Sequence, residues 1–379
     1  MDDEARATGL GPAPDRAPKE RSTEHSSGEP RRGRRSPYRH PRQDESRRGG
    51  HGGGGHDLSG PTYAALDLGT NNCRLLVARA TQDSFRVIDA FSRIVRLGEG
   101  ITNSGLLSEA AIVRAVEALR ICGAKMRNRG VTRARLIATE ACRAAGNGLD
   151  FLERVRGEVG IELEIVDRET EALLAATGCT PLVDPQARGV ILFDIGGGSS
   201  ELVRLGPCEP IQHGPPHPAI EGWTSMPLGV VTLAERHGGV TVTPESFERM
   251  IQEVAVHVGR FAAEHGGTDG VHMLGTSGTV TTIAGVYLDL PRYERRRVDG
   301  CWMSDAQVTG VIARLLAMSY ENRVANPCIG AERADLVLAG CAILEAIRRA
   351  FPCPRLRVAD RGLREGMLVQ MMREDGVWQ

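Results

Sequence analysis

The sequence predicts an α/β protein made of two similar domains that face each other across a cleft. Three observations carry this. Short apolar runs alternate with segments of helical periodicity from residue 63 onward. A strand, an Asp-x-Gly turn and a second strand occur twice, at Leu66-Asp67-Leu68-Gly69-Thr70-Asn71-Asn72 and at Phe193-Asp194-Ile195-Gly196-Gly197-Gly198-Ser199-Ser200. Each copy opens its own half of the chain, so the expected domains are residues 61–185 and 186–379, the last helix being free to return to the first domain.

In the first half, residues 63–67 form an apolar run ending at Asp67, residues 73–79 alternate as a second strand, and 85–91 read as a third. Ser108 caps a helix over 108–127, in which Ile112, Val116, Leu119 and Cys122 recur at helical spacing. A strand over 134–139, a helix over 148–159, a strand over 162–166 and a helix over 170–177 follow. The second half repeats the plan, with strands over 189–194 and 200–205, a helix over 244–265, a strand over 270–274 and a helix from 279. A long helix over 332–350, a strand over 356–359 and a closing helix over 362–372 complete it.

Composition narrows the function. The 379 residues carry a net charge of −1, which argues against nucleic-acid binding by the whole chain. No apolar stretch approaches the roughly 20 residues of a membrane span. Nine cysteines contain no CxxC pair, so reduced thiols in a cytoplasmic protein are expected, with neither a disulfide framework nor a zinc site. Lys19 and Lys125 are the only lysines, so anion recognition falls to Arg, backbone N–H groups or a metal. Residues 1–60 are rich in Gly, Pro, Ser, Arg and His and are expected to be a disordered tail; eight arginines lie between Arg31 and Arg48.

The duplicated turns are the chemistry-bearing feature. Glycine lets backbone N–H groups converge on an anion, and an Asp at the strand end can hold a divalent cation that bridges phosphate oxygens. Asp-x-Gly is also ordinary turn chemistry, but two copies at corresponding places favour the phosphate reading. A third loop, Gly275-Thr276-Ser277-Gly278-Thr279, follows a strand and opens a helix, where an anion is favoured and where Ser and Thr also serve as caps.

These loops, together with Ala138-Thr-Glu-Ala-Cys-Arg143, Glu169-Thr-Glu171-Ala172, Pro227-Leu-Gly-Val-Val-Thr-Leu233, Glu332-Arg-Ala-Asp335 and Ala359-Asp-Arg-Gly-Leu-Arg-Glu-Gly366, resemble the signature of the exopolyphosphatase / guanosine pentaphosphate phosphohydrolase family. The resemblance spans residues 62–372 and implies two actin-like (ribonuclease H-like) domains. One departure is Thr170-Glu171-Ala172-Leu173, where the family often has Glu-Glu-Ala-Arg. The extra C-terminal helical domain of longer relatives is not expected here.

The resemblance implies Glu171 as the base that activates water, with Glu140 as a secondary candidate and Arg143 and Arg93 as phosphate clamps. It implies Asp67 and Asp194 as ligands of Mg²⁺ (or Mn²⁺), supported by Glu201. Phosphate would be held by Gly69, Thr70, Asn71, Asn72 and Arg74, by Gly196, Gly197, Gly198, Ser199 and Ser200, and by Gly275, Thr276, Ser277, Gly278 and Thr279. The expected reaction is release of terminal orthophosphate from inorganic polyphosphate. Hydrolysis of guanosine pentaphosphate is the alternative, and a nucleotide- or polyphosphate-binding regulator without turnover or a kinase of the same superfamily are rivals from other classes. Neither a membrane nor a specific nucleic acid is expected as a partner, and a homodimer is left open.

Overall fold

A computed structural model of the chain describes residues 60–208 and 213–378. The tail expected over 1–60 therefore lies, Gly60 apart, outside the described residues. The first half contains β1 (Thr62–Leu68), β2 (Asn72–Ala80), β3 (Phe85–Ile94), α1 (Ile101–Ser104), α2 (Glu109–Asn128), β4 (Arg133–Ala138), α3 (Glu140–Ala144), α4 (Gly148–Val159), β5 (Glu164–Ile165) and α5 (Arg168–Cys179). The second contains β6 (Gly189–Ile195), β7 (Ser200–Leu205), β8 (Ile220–Met226), α6 (Val230–His237), α7 (Pro244–His265), β9 (Val271–Thr276), α8 (Ser277–Tyr287) and α9 (Arg295–Val298). It continues through β10 (Trp302–Ser304), α10 (Asp305–Leu316), α11 (Tyr320–Ala325), α12 (Val337–Ala350), β11 (Arg355–Val358) and α13 (Leu363–Glu374).

Two sheets share one strand order. The first runs β3-β2-β1-β4-β5, and the second, read from its far edge, runs β8-β7-β6-β9-β11-β10. In each, an antiparallel meander of three strands is followed by parallel pairing of the first strand to the fourth and of the fourth to the fifth. This is the ribonuclease H-like order implied for an actin-like protein, with β10 added to the second sheet. β1 and β6 are central strands covered on both faces, which explains why Thr62-Tyr-Ala-Ala-Leu66 and Gly189-Val-Ile-Leu-Phe193 are buried at every position instead of alternating.

The helices form where caps and periodicity agree. Ser108 accepts the Ala111 N–H at 3.3 Å and starts α2. Thr243 and Ser246 cap α7 reciprocally, Pro244 sits in its first turn, and Phe247, Met250, Ile251, Val254, Val258 and Phe261 bury one face. The structure departs from the sequence expectation in three ways. The strand over 162–166 contracts to Glu164–Ile165 at the sheet edge. The helix expected from 332 begins at Val337, because the Glu332 and Ala334 carbonyls accept arginine N–H groups, from Arg96 and Arg323. The segments α1, α3, α6, α9, α10, α11, β8 and β10 appear where no element was singled out.

Each sheet is packed on both faces. α2 and α4 cover one face of the first sheet, and α7, α8, α10 and α12 cover the outer face of the second. α5 lies between the sheets: Leu174 joins the cluster against β1, β2 and β4, while Ala172, Ala176 and Cys179 join the cluster against β6, β7 and β9. The closing helix α13 lies against the first sheet, where Met367, Leu368, Met371 and Met372 pack on Tyr63, Ala65, Leu76 and Ile137. α5 and α13 approach through glycines. A Cβ on Gly366 would lie 1.9 Å from the Leu174 carbonyl oxygen, and one on Gly178 would lie 2.0 Å from the Gly362 carbonyl oxygen.

The approach leaves no room for a methyl group, since neither obstructing atom can rotate away. Gly366→Ala is therefore expected to destabilise the protein by about 1–3 kcal/mol or more. Gly157, exposed in α4 with nothing within 4 Å of a built Cβ, is the control. Gly157→Ala should be neutral or raise stability by up to about 1 kcal/mol. Urea unfolding of both variants checks the pair, and equal effects would contradict the crossing geometry.

Candidate active site

The strand register places the acids. In the first hairpin Asp67 stands opposite Arg74, and in the second Asp194 stands opposite Glu201. Both turns close the same way: Gly69 N–H donates to the Asn72 carbonyl at 2.9 Å, and Gly196 N–H donates to the Ser199 carbonyl at 3.0 Å. The two turns touch. A Cβ on Gly197 would sit 2.8 Å from Thr70 Cβ, and one on Gly198 would sit 2.8 Å from Thr70 Oγ1 and 3.1 Å from Glu140 Cγ. Glycine at 197 and 198 is thus what lets the second loop reach the first.

Each loop has a backing. The Val95 and Arg96 amides donate to the Asn71 carbonyl at 2.9 and 3.1 Å, and Gly98 N–H donates to the Thr70 carbonyl at 2.9 Å. Behind the second loop, Val230 and Val231 N–H at the start of α6 donate to the Gly196 and Gly197 carbonyls at 3.0 and 2.8 Å. The Asn71 and Asn72 side-chain oxygens are buried without a hydrogen-bond partner among the described residues. Such orphaned acceptors at a loop tip are explained most simply by a ligand, cation or water that bonds them.

A charged network runs beside the loops. Arg143, on α3, donates Nε and Nη2 to Glu140 Oε2 at 3.0 and 2.6 Å and Nη2 to Glu171 Oε2 at 3.2 Å, and its Nη1 donates to the Val166 carbonyl. Arg168 Nη2 adds a bond to Glu140 Oε1 at 2.9 Å. Glu140 is therefore committed to two guanidinium groups and acts as their anchor. Glu171 lies in the first turn of α5, whose cap is Asp167 accepting from Thr170 N–H at 2.7 Å. Its side chain is 13% exposed.

The four carboxylates feel one another. Burial pushes Asp194 up to about 6, with Asp67 adding to the rise and Arg74 opposing it. Burial and Asp194 push Glu201 up to about 7, against hydrogen bonds from Ser199 and Ser225. Burial and then Glu201 raise Glu171 well above the ordinary carboxylate range, while Arg143 pulls it back. Asp67 is raised by burial and restrained by Arg74 and Arg364. Among the described residues no three acids, His or Cys stand close enough to cage a metal by themselves. The donor set still fits Mg²⁺, a hard cation that commonly takes one or two carboxylates and completes its shell with phosphate oxygens and water.

The third loop is tied in by its side chains. Ser277, with φ of 85°, donates Oγ to the Ile195 carbonyl at 2.6 Å, and the Thr276 hydroxyl donates to the Arg361 carbonyl. A Cβ on Gly340 of α12 would fall 2.4 Å from Thr279 Oγ1. Ser200 is likewise internal, donating to the Leu228 carbonyl at 2.8 Å. Gly275 packs against Phe193, and a Cβ on Gly278 would lie 3.7 Å from Arg333 Cζ.

Arg93 is exposed on the edge strand β3, opposite Cys73 in register, with its guanidinium 5.6 Å from the Phe91 ring centroid. Three basic residues were not foreseen. Arg168 shares Glu140, Arg364 lies in the field of Asp67 and Arg74, and Arg333 flanks the third loop. Arg333 and Arg364 fall within runs already singled out, but nothing in the spacing distinguished them from their neighbours.

A model of the Ppx/GppA phosphatase family matches residues 76–375. The chain is 25% identical over 311 residues to a Haemophilus influenzae protein named "Putative exopolyphosphatase", covering 81% of this chain and 90% of that one. The crystal structure of the Ppx/GppA family member from Aquifex aeolicus superposes with a TM-score of 0.68 at 26% identity, covering 83% of this chain and 98% of that chain. That of an exopolyphosphatase from Cytophaga hutchinsonii gives a TM-score of 0.74 at 24% identity over 83% of this chain and 98% of that one, which bears on the fold alone.

The raised acids make stability depend on pH with a definite sign. A carboxyl whose folded pKa exceeds its unfolded value holds its proton longer in the folded state, so stability falls as pH rises from about 4 through the folded value. For Asp194 and Glu201 this window ends at about 6 and about 7. Metal-free protein should lose stability between pH 4.5 and 7.5 from these groups, and Asp194→Asn should flatten that slope. Urea unfolding across the range in chelator checks it; an unchanged slope in the variant would contradict the burial of that charge.

Proposed function

The chain belongs to the Ppx/GppA phosphatase family, and we propose from that starting point that it removes terminal orthophosphate from inorganic polyphosphate. That it is a hydrolase of this family rests on the match over residues 76–375. The choice of polyphosphate is supported by the name of the relative from Haemophilus influenzae. The observation that carries the chemistry is the meeting of two glycine turns, with their unbonded Asn71 and Asn72 oxygens, beside the Arg143–Glu171 pair.

Hydrolysis of a phosphoanhydride needs an oriented water, a proton acceptor and positive charge or N–H donors on the phosphoryl oxygens. The Gly69 and Gly196 amides close the turns, and the turn amides that follow them, at 70–71 and 197–198, with the first-turn amides of α8 supply donors for the phosphate oxygens. Arg143, held by Glu140, brings its positive charge beside Glu171 and the transferring group. Glu171 accepts the proton of the attacking water as the new P–O bond forms. The bridging P–O bond breaks and its electrons leave on the shortened chain. Burial makes Glu171 a stronger base than an exposed carboxylate, and Arg143 keeps it from remaining permanently protonated. Asp67 and Asp194, with Glu201 behind them, would hold Mg²⁺, whose chemistry here is charge neutralisation on the phosphoryl oxygens.

Two outcomes are expected. Glu171→Gln should lower kcat by roughly 10²–10⁴-fold with little change in substrate binding; a variant retaining more than about half of kcat would remove Glu171 from the role of base. Phosphate release should stop in EDTA and return with Mg²⁺ or Mn²⁺. Parallel assays on polyphosphate and guanosine pentaphosphate decide the substrate, and faster release from the nucleotide would overturn the polyphosphate reading.

A further inference from the structure

The two loop backings reach each other across the cleft. Arg96, which leans on the first loop through its amide, sends Nη2 to Asp335 Oδ1 at 2.9 Å and to the Glu332 carbonyl at 3.1 Å. Four residues on, Gly100 N–H donates to Glu235 Oε1 at 2.9 Å. Glu235 lies on α6, the helix whose first amides bond the second loop. Asp335 lies in the turn after Arg333, which faces the third loop. Both contacts therefore join a segment that backs one phosphate loop to segments that back or flank the other two.

The geometry of the 95–100 segment is set for this contact. Arg96 holds φ at 47°, a left-handed conformation that a non-glycine residue adopts only when its surroundings require it. Arg114, from α2, pins the segment by donating Nε to the Val95 carbonyl at 2.8 Å and Nη2 to the Arg96 carbonyl at 3.2 Å and to Glu99 at 3.0 Å. The segment is thus fixed to the first sheet from behind, and its free side chain and next amides are spent on the other half of the molecule. The Arg96–Asp335 pair is only partly exposed, at 30% and 24% of the side chains.

We propose that Arg96 with Asp335, and Gly100 with Glu235, form one clasp that sets the spacing of the phosphate loops. Arg96 and Glu235 are positioning residues: they touch neither substrate nor reacting atoms. When the clasp is made, loops 69–72 and 196–199 are held in contact and the site is assembled; when it is lost, that contact loosens. The proposal rests on the phosphohydrolase reading only for its kinetic effect.

The decisive test reads the clasp directly. Asp335→Asn, across the cleft from Gly100 and outside its segment, should accelerate hydrogen exchange at the Gly100 amide at least about 3-fold, approaching the rate in Glu235→Ala, which removes the acceptor. Unchanged exchange would show that the two contacts are independent and would overturn the clasp. In phosphate release, Arg96→Gly, which relieves the left-handed strain and keeps the fold, should lower kcat roughly 3–10-fold, the scale of one partly exposed charge-assisted bond, with a smaller change in KM. The double variant Arg96→Asp with Asp335→Arg should recover part of that loss; a swap no better than Arg96→Gly would mean that the pair is merely structural. If wild-type protein releases no phosphate from either substrate, the functional reading fails while the exchange result still decides the clasp.

Discussion

The closeness of α5 to α13 is the constraint on which the rest of the architecture depends. α5 carries Glu171 in its first turn and lies between the two sheets, so its position fixes where the acid stands relative to both glycine loops. That position is set by Gly178 and Gly366, which allow backbone to approach backbone where any side chain would intervene. Tight packing transmits such placement with little slack. An acid on a surface loop could drift by an ångström; an acid on a helix trapped between two cores cannot.

The second organising fact is electrostatic. The paired hairpins superimpose in plan but differ in charge: opposite Asp67 stands Arg74, and opposite Asp194 stands Glu201. One half therefore neutralises its strand-end acid and the other doubles it. The unneutralised pair lies in a buried setting that disfavours charge, as the rise of Asp194 and Glu201 shows. A folded protein retains such a cost where a cation or a polyanion with its counter-ions will offset it. Arg143 and Arg168, gathered on Glu140, supply the opposite sign on the facing side.

Much of this was legible in the sequence. The repeated strand–turn–strand pattern reported two equivalent sheets because each central strand is a buried run that ends in an Asp-x-Gly turn. The capped helices at 108 and 244 were visible for the same local reasons. What could not be read was whatever depends on which segments meet. Glu140 looks like any first-turn acid until Arg143 and Arg168 converge on it. The hydroxyls of Thr276 and Ser277 look like ligand donors until they are seen to bond the carbonyls of Arg361 and Ile195. The turn at 332–336 has helical composition, and only the arginines taking its carbonyls stop it from being helix.

The return of α13 to the first sheet also bears on the order in which the molecule can be completed. Tyr63, Ala65 and Leu76 leave the ribosome long before Met367, Leu368, Met371 and Met372, which pack on them. The face that α2 and α4 cover can mature as soon as residue 159 is available, whereas the opposite face waits for α13. Synthesis thus leaves that side of the first sheet covered only in part, by Leu174 of α5, while the strands of the second sheet are translated, a period when apolar strands are exposed to wrong partners. α13 is the closure on which folding of these strands depends, and nascent chains that stop short of it carry an unfinished core.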